Sequence, residues 1–536
     1  MNLYNLLAQK ALRSFRKPAL DRLRSLQACS AMQEKTLKSL IQTARNTKFG
    51  LEHHFSDFRT VSDYQKQVPL RTYENFFENY FAPESIQQSQ TQKADYHPKQ
   101  TSPYLDNVVW PGLVRYFSLS SGTTSGTTKF IPATRELLKS NQQASVDAAL
   151  FHFLRKPDSN ILGGRTLLLG GNPVLRQDWR GRVQSGDLSG VMVHHLPFLF
   201  RSLYFPGRQI ASIAGWEEKI DRIAEASLNE NLSILSGVPT WMILFLEKLN
   251  EKRRFKGNIK NLWSKFELFV HGGIAFEPYR KQFEEWLGPQ AQFLEVYPAS
   301  EAFIAIEDPD ERYLRLMVDY GTFYEFVPVD ELLSKSPPRL TIADVEIDKN
   351  YAIILTTNGG LWSYILGDTI RFISKEPPLI KITGRTKYYL SAFGEHVIQE
   401  EIESALNEAC RVFGVSYADY HAAPEFPGSV QLKGKHQYVI EFTKSPEKLQ
   451  EFSEKFDECL QKLNEDYAQH RSGGFGMDAP DFIPVPAGFF KEWMRKKGKL
   501  GGQHKVPRVS ANRELISEML SSLPDRRTGL LKDRSN

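Results

Sequence analysis

The chain has 536 residues, of which 41% are hydrophobic, 24% charged and 12% aromatic. At about 100–200 residues per domain this length calls for several domains, not one small binding module, and the ordinary composition excludes wholesale disorder and fibrous repeats. Sixty-eight Lys+Arg stand against 63 Asp+Glu, a formal net charge of +5 spread along the chain, so composition gives no reason to expect a nucleic-acid partner.

The three cysteines, Cys29, Cys410 and Cys459, have neither zinc-site nor disulfide-framework spacing, which fits a reducing, cytoplasmic setting. No stretch reaches the roughly 18 to 20 apolar residues of a membrane span, so no membrane partner is expected, and the features of a secretion signal are missing. Lys10, Arg13, Arg16, Lys17, Arg22 and Arg24 face one acid, Asp21, a superficial likeness to a mitochondrial transit peptide. Serine is sparse there and apolar residues continue at helical spacing, so the segment reads as a basic-faced helix.

In chain order, Ser30 and Gln33 read as a capping box, with Leu37, Leu40, Ile41 and Ala44 on one helical face and a stop at Gly50. The first hundred residues read as helical. Residues 86–102 are a glutamine-rich loop, followed by a short strand at Tyr116–Leu119. The pattern then alternates: strands at Arg165–Gly170, Leu232–Val238, Phe266–Val270 and Phe293–Tyr297, helices at Trp216–Asn229, Trp241–Lys252 and Glu277–Leu287. Such alternation predicts an α/β fold with a mostly parallel sheet. Between Tyr313 and Ile373 the helical pattern stops, predicting antiparallel strands or a barrel-like part. The breaker Lys375-Glu376-Pro377-Pro378 is read as a boundary, giving a large domain over 1–378 and a small α+β domain over 379–536. That small domain is expected to carry helices at 398–412 and 446–467, strands near 437–443 and 482–487, and a frayed end over 523–536. No internal repeat is present.

Five segments could carry chemistry. Ser118 to Lys129 is a hydroxyl-rich glycine loop whose backbone N–H groups and terminal lysine suit a polyphosphate, although the Walker spacing is not met. Glu295-Val296-Tyr297-Pro298-Ala299-Ser300-Glu301 leaves a strand for a turn ending in a carboxylate, a position suited to a nucleotide base and a metal. Tyr364-Ile365-Leu366-Gly367-Asp368 places an aspartate able to accept both hydroxyls of a ribose. Thr383-Gly384-Arg385-Thr386-Lys387 reads as a hinge, and Gly501-Gly502-Gln503-His504-Lys505 as a mobile loop able to deliver charge. Each segment alone could be a solvated loop or a turn. The adjacent pairs His53-His54 and His194-His195 point apart and read as structural.

In order, these segments resemble the adenylate-forming superfamily, and more closely the Gretchen Hagen 3 family of acyl acid amido synthetases. The likeness extends to Ala44–Gly50, Val68-Pro69-Leu70 and Lys505-Val506-Pro507-Arg508. The resemblance implies a large ATP- and acyl-acid-binding domain and a small mobile one. Ser120, Ser121, Thr123 and Thr124 would hold the ATP phosphates, with Lys129 as supporting charge. Tyr297, Pro298, Ala299 and Ser300 would line the adenine and α-phosphate region, Glu301 would bind Mg²⁺, and Asp368 would take the ribose. Arg385 and Lys387 would form the hinge, and Lys505 would serve adenylation. Pro298 stands where the family usually has a small residue, and the Gly-Arg-Thr-Lys hinge is closer to that of acyl-CoA ligases.

The implied reaction joins a carboxylic acid to an amino acid through an acyl-adenylate. It needs no triad, because a carboxylate is already nucleophilic and the site need only align it and neutralise departing pyrophosphate. An acyl-CoA ligase with the same first half-reaction and a non-catalytic nucleotide or acyl-acid binder are the alternatives. The acyl pocket is not assigned; the regions around 140–155 and 190–215 are expected to shape it.

Overall fold

The computed structural model describes residues 3–81, 102–120, 129–196, 201–385 apart from 214, 256, 274–275, 277–278 and 333, and 389–523 apart from 391, 396, 428–432, 473–475, 497–507 and 511. The chain divides into two compact units on either side of the 386/387 junction.

The first unit begins with helices α1 (Leu3–Phe15), α2 (Lys17–Arg22) and α3 (Leu26–Ala44). The start of α3 lies earlier than the Ser30–Gln33 pair predicts, because Ser25 is the cap and its hydroxyl accepts from the Ala28 N–H. Gln33 is buried instead, donating to the Val318 and Thr322 carbonyls at 2.9 Å each and accepting from the Tyr324 N–H at 2.8 Å. A capping pattern and a buried amide look alike in sequence; only the fold supplies those three partners. Gly50 does not stop α3, which ends at Ala44, but sits so close beneath it that a Cβ would lie 2.2 Å from the Ala44 oxygen.

Strands β1 (Tyr116–Ser120) and β2 (Lys129–Pro132) form a hairpin within a four-stranded sheet with β4 (Arg176–Asp178) and β5 (Val183–Asp187). The large sheet has eleven strands. Its parallel part is β6 (Tyr204–Phe205), β3 (Arg165–Leu169), β7 (Leu232–Gly237), β8 (Leu268–His271) and β9 (Gln292–Pro298), whose crossovers include the helices Trp216–Ser227, Pro239–Lys252 and Arg280–Leu287. The α/β alternation read from sequence is present. Six antiparallel strands complete it: β10 (Phe303–Glu307), β11 (Leu314–Leu316), β15 (Pro378–Arg385), β14 (Tyr364–Lys375), β13 (Asn350–Thr357) and β12 (Thr322–Pro328). Among the described residues this part is an open wing of a mixed sheet and does not close into a barrel. Its core is aromatic, with Trp362, Tyr324, Tyr351 and Tyr364 fully buried; each removes a large apolar surface from water.

The Pro377-Pro378 breaker does not end this unit. Lys375 pairs with Pro378 across a tight turn, and β15 hydrogen-bonds to β14 and β11, so the sheet continues to Arg385. Proline suits such a turn as well as it suits a linker.

The second unit has β16 (Tyr389–Leu390), β17 (Val397–Ile398), β18 (Ser416–Glu425), β19 (Lys435–Lys444) and β20 (Asp481–Pro484), with helices Gln399–Phe413 and Leu449–Leu463. Its core holds a polar knot: the fully buried Glu395 takes His436 Nε2 at 2.8 Å and the N–H groups of Ala392 and Phe393 at 3.2 and 2.8 Å. The stretch 524–536 lies outside the described residues. No described helix is long and apolar enough to cross a membrane.

Candidate active site

Strand β9 ends at the carboxyl edge of the parallel strands, and a turn closed by Ala299 N–H to the Ala302 carbonyl at 2.9 Å carries Glu301 back toward the sheet. Ligands of open α/β sheets gather at this edge. From the antiparallel wing comes β14. At Gly367, with φ +96°, its backbone enters the left-handed region, and pairing with β13 skips from Ile354–Ile365 to Ala352–Thr369. Glycine is the residue that accepts this conformation without strain, and the irregularity sets Asp368 at the site.

The two strands meet through side chains. Tyr364 Oη donates to Glu301 Oε1 at 3.1 Å, and Tyr297 Oη donates to Asp368 Oδ2 at 2.5 Å. Lys129 Nζ reaches Tyr364 Oη at 3.4 Å and lies 5.6 Å from the Tyr73 ring centroid. Tyr73 in turn accepts the Phe130 N–H at 2.8 Å, fixing the start of β2. Lys129 pairs with Ser120 across the hairpin, so the two described residues that flank segment 121–128 stand together beside this cluster.

Glu301, Lys129, Tyr297, Asp368 and Tyr364 are all buried. Burial pushes the Glu301 carboxyl above its ordinary range, and the nearby Lys129 charge only partly offsets it. Burial, then the Glu301 charge, raises the Tyr364 hydroxyl well above its ordinary value, so Tyr364 remains a proton donor at neutral pH. The site therefore disfavours the charged form of Glu301 when nothing is bound. A cation would find it favourable to bind there.

Of the residues singled out in the sequence, Lys129, Tyr297, Glu301 and Asp368 come together. Ser120 ends β1, and Pro298, Ala299 and Ser300 form the intervening turn, Pro298 exposed and the other two half-buried. Arg385 ends β15 opposite Asp368 in the backbone register. Ser121, Thr123, Thr124, Lys387 and Lys505 lie outside the described residues. Sequence reasoning missed Tyr364 and Tyr73 as site residues; Tyr364 stands inside the motif that yielded Asp368, whereas Tyr73 lies in a helical segment with no signal of its own.

Among the described residues no three His, Cys, Asp or Glu side chains cluster as a metal cage. One hard carboxylate fits Mg²⁺ nonetheless, since that ion commonly takes one or two protein carboxylates and fills its shell with water and substrate phosphates.

Models of the GH3 family match most of the chain: the N-terminal domain over residues 22–82, 99–171 and 171–291, the central domain over 315–385, and the C-terminal domain over 400–514. The chain is 23% identical over 354 residues to indole-3-acetic acid-amido synthetase GH3.3 of Arabidopsis thaliana, an alignment covering 60% of this chain and 59% of that protein. It is 21% identical over 408 residues to the jasmonoyl–L-amino acid synthetase JAR4 of Nicotiana attenuata, covering 64% and 70%. The match thus spans a little over half the length of the first of these relatives. The fold is shared with GH3.15 acyl acid amido synthetase, at 17% identity and TM-score 0.54 over 94% of this chain and 95% of that one. It is shared also with 2-hydroxyisobutyryl-CoA ligase in complex with 2-HIB-AMP and CoA, at 12% identity and TM-score 0.51 over 93% of each.

Proposed function

Because the chain belongs to the GH3 family, we propose that it is an acyl acid amido synthetase, using ATP and Mg²⁺ to activate a carboxylic acid and passing the acyl group to an amino acid. The observation that carries this reading is the convergence of Lys129, Tyr364 and Glu301 beside Tyr297 and Asp368, at the carboxyl edge of the parallel strands.

Each residue has a part that its surroundings support. Asp368 binds the ribose, and Tyr297, whose hydroxyl it accepts, fixes its carboxylate orientation. Lys129 and the hydroxyl loop bearing Ser121, Thr123 and Thr124 receive phosphate charge, and Tyr364 holds Glu301 in place. Glu301 is the residue that would hold Mg²⁺, and the bound ion would neutralise the departing pyrophosphate. The acid's own carboxylate attacks the α-phosphorus, so alignment and charge neutralisation suffice; no general base is required for this half-reaction. In the second half-reaction the amine attacks the acyl carbonyl and AMP leaves. Lys505 serves adenylation, and Arg385 to Lys387 is the pivot between the two steps.

The test is direct. With ATP, Mg²⁺ and a panel of carboxylic acids, pyrophosphate release should depend on the acid, and amino acids should accelerate turnover. Acceleration by CoA alone would assign the second half-reaction to thioester formation. Nucleotide binding without pyrophosphate release on any acid would make the chain a binder.

A further inference from the structure

The helical arm formed by α1 and α2 is built inside out. Arg16, between them, keeps near-helical angles (φ −100°, ψ −41°), so residues 3–22 run as one bent helix. At about 100° per residue, Asn5, Gln9, Leu12 and Arg16 share one face and Leu6, Leu7, Lys10, Ala11 and Ser14 another, with Phe15 on the far flank of the second, about half a turn round from Leu6. The first face is against the protein, and its contacts are mainly polar. Asn5 Nδ2 donates to Asn160 Oδ1 at 2.7 Å and Gln9 Nε2 to the Ser159 carbonyl at 3.2 Å. Arg13 reaches the Phe153 carbonyl at 2.8 Å, and Arg16 pairs with Asp147 and Asp319 at 2.6 Å each.

Leu12 packs against the core and Leu20 lies within it, but Leu6, Leu7 and Phe15 face outward. Leu6 is 49% exposed, Leu7 56% and Phe15 85%, the highest exposure of any large hydrophobic side chain described. An arm that buries amides and an arginine beside Leu12 and Leu20, while presenting two leucines and a phenylalanine, departs from the usual rule over α1. Cations lie along the same arm: Lys10, exposed on the outward face, Lys17, half-buried and paired with Asp21, and Arg22, exposed beyond it. Outward apolar residues with flanking Lys and Arg are the attributes of a helix lying in the interface of an anionic bilayer.

We propose that the arm Leu3–Arg22 docks the protein reversibly on anionic membrane surfaces, Leu6, Leu7 and Phe15 entering the headgroup region and Lys10, Lys17 and Arg22 meeting lipid phosphates and carboxylates. This departs from the sequence expectation of no membrane partner, which considered only spanning segments. Three side chains and a few charges make the attachment weak and dependent on both contributions. It does not rest on the proposed ligase activity.

The experiment is co-sedimentation of the full chain with phosphatidylcholine vesicles, with and without phosphatidylserine, at low and at physiological salt. Sedimentation is expected with the anionic vesicles only, and less at higher salt. The Leu6→Ser, Leu7→Ser, Phe15→Ser triple variant and the Lys10→Glu, Arg22→Glu double variant should each lose partitioning by about tenfold or more, with the thermal unfolding midpoint unchanged. A chain that stays in the supernatant, binds neutral vesicles equally, or partitions unaltered in both variants overturns the proposal. So does concentration-dependent self-association that the serine variant abolishes in a chain that ignores vesicles, since a second copy would then be the occupant.

Discussion

Two buried glutamates, one in each compact unit, show what burial alone decides. Glu301 in the first unit and Glu395 in the second are 6% and 0% exposed, yet their carboxyls move in opposite directions. At Glu301 burial raises the value and a tyrosine hydroxyl with a nearby lysine does not offset it. At Glu395 burial also works upward, but the His436 hydrogen bond and charge outweigh it and bring the carboxyl below its ordinary value. Desolvation is common to both; the donors decide the sign. A buried acid whose donors match its charge is a strut. One left short of donors is ready to receive a cation.

The largest expected effect is on the strut. Glu395→Ala leaves His436 and two turn N–H groups buried without their acceptor, and breaking such a pair costs about 3–5 kcal/mol. Urea unfolding followed by hydrogen exchange should show that loss in the second unit, with the first unit's protection retained. Uniform loss in both units would mean that the knot is not local.

Next is the cation site. Glu301→Gln keeps the shape and removes the charge, so adenylation at saturating ATP should fall by about 10²–10³, with the dependence on Mg²⁺ shifted to higher concentration. The metal-free variant should be no less stable than the parent at neutral pH, because a neutral amide does not carry the cost of burying an unmatched charge. A large stability loss with activity intact would make Glu301 a second strut and reverse the comparison.

The fold was more legible in the sequence than these contacts were. Alternating apolar runs and amphipathic helices marked β3, β7, β8 and β9 because parallel strands are apolar on both faces. Strand β18 was missed, since the first half of Ser416–Glu425 is largely polar and only its second half is buried. A Pro-Pro pair such as Pro377-Pro378 reads equally as a turn or a linker, and strand pairing across the turn cannot be read locally. In the site, Glu301 and Asp368 were marked by their turns. The Tyr364–Glu301 bond spans 63 positions and Tyr297–Asp368 spans 71, and sequence carries no record of contacts at that separation.

A smaller effect tests how Asp368 is held. Tyr297→Phe removes one hydrogen bond to a carboxylate, worth about 1.5–3 kcal/mol in general but partly replaced by water or by the ribose itself. The KM for ATP should rise by about threefold to tenfold with kcat little changed, the mark of binding lost equally in ground and transition states. A fall in kcat with KM unaltered would place Tyr297 in the chemical step.

The smallest effect separates the two glutamates by pH alone. Glu395 has its folded value below the ordinary 4.5 of a glutamate, so the unfolded chain binds its proton more readily than the folded one. Its contribution to stability is therefore fully present above about pH 4.5 and is lost as pH falls through the lower folded value. His436 and His470 face the same carboxylate and add positive charge to it, strengthening that dependence. Glu395→Gln should remove this part of the acid-side loss, leaving the second unit less stable at neutral pH but flatter below pH 4.5. Glu301→Gln should leave the acid-side loss of the second unit as it is in the parent. Thermal unfolding of the parent and both variants across this window reads the difference, and a Glu395→Gln profile parallel to the parent's would show that the turn N–H groups and His436 do not favour the charged form.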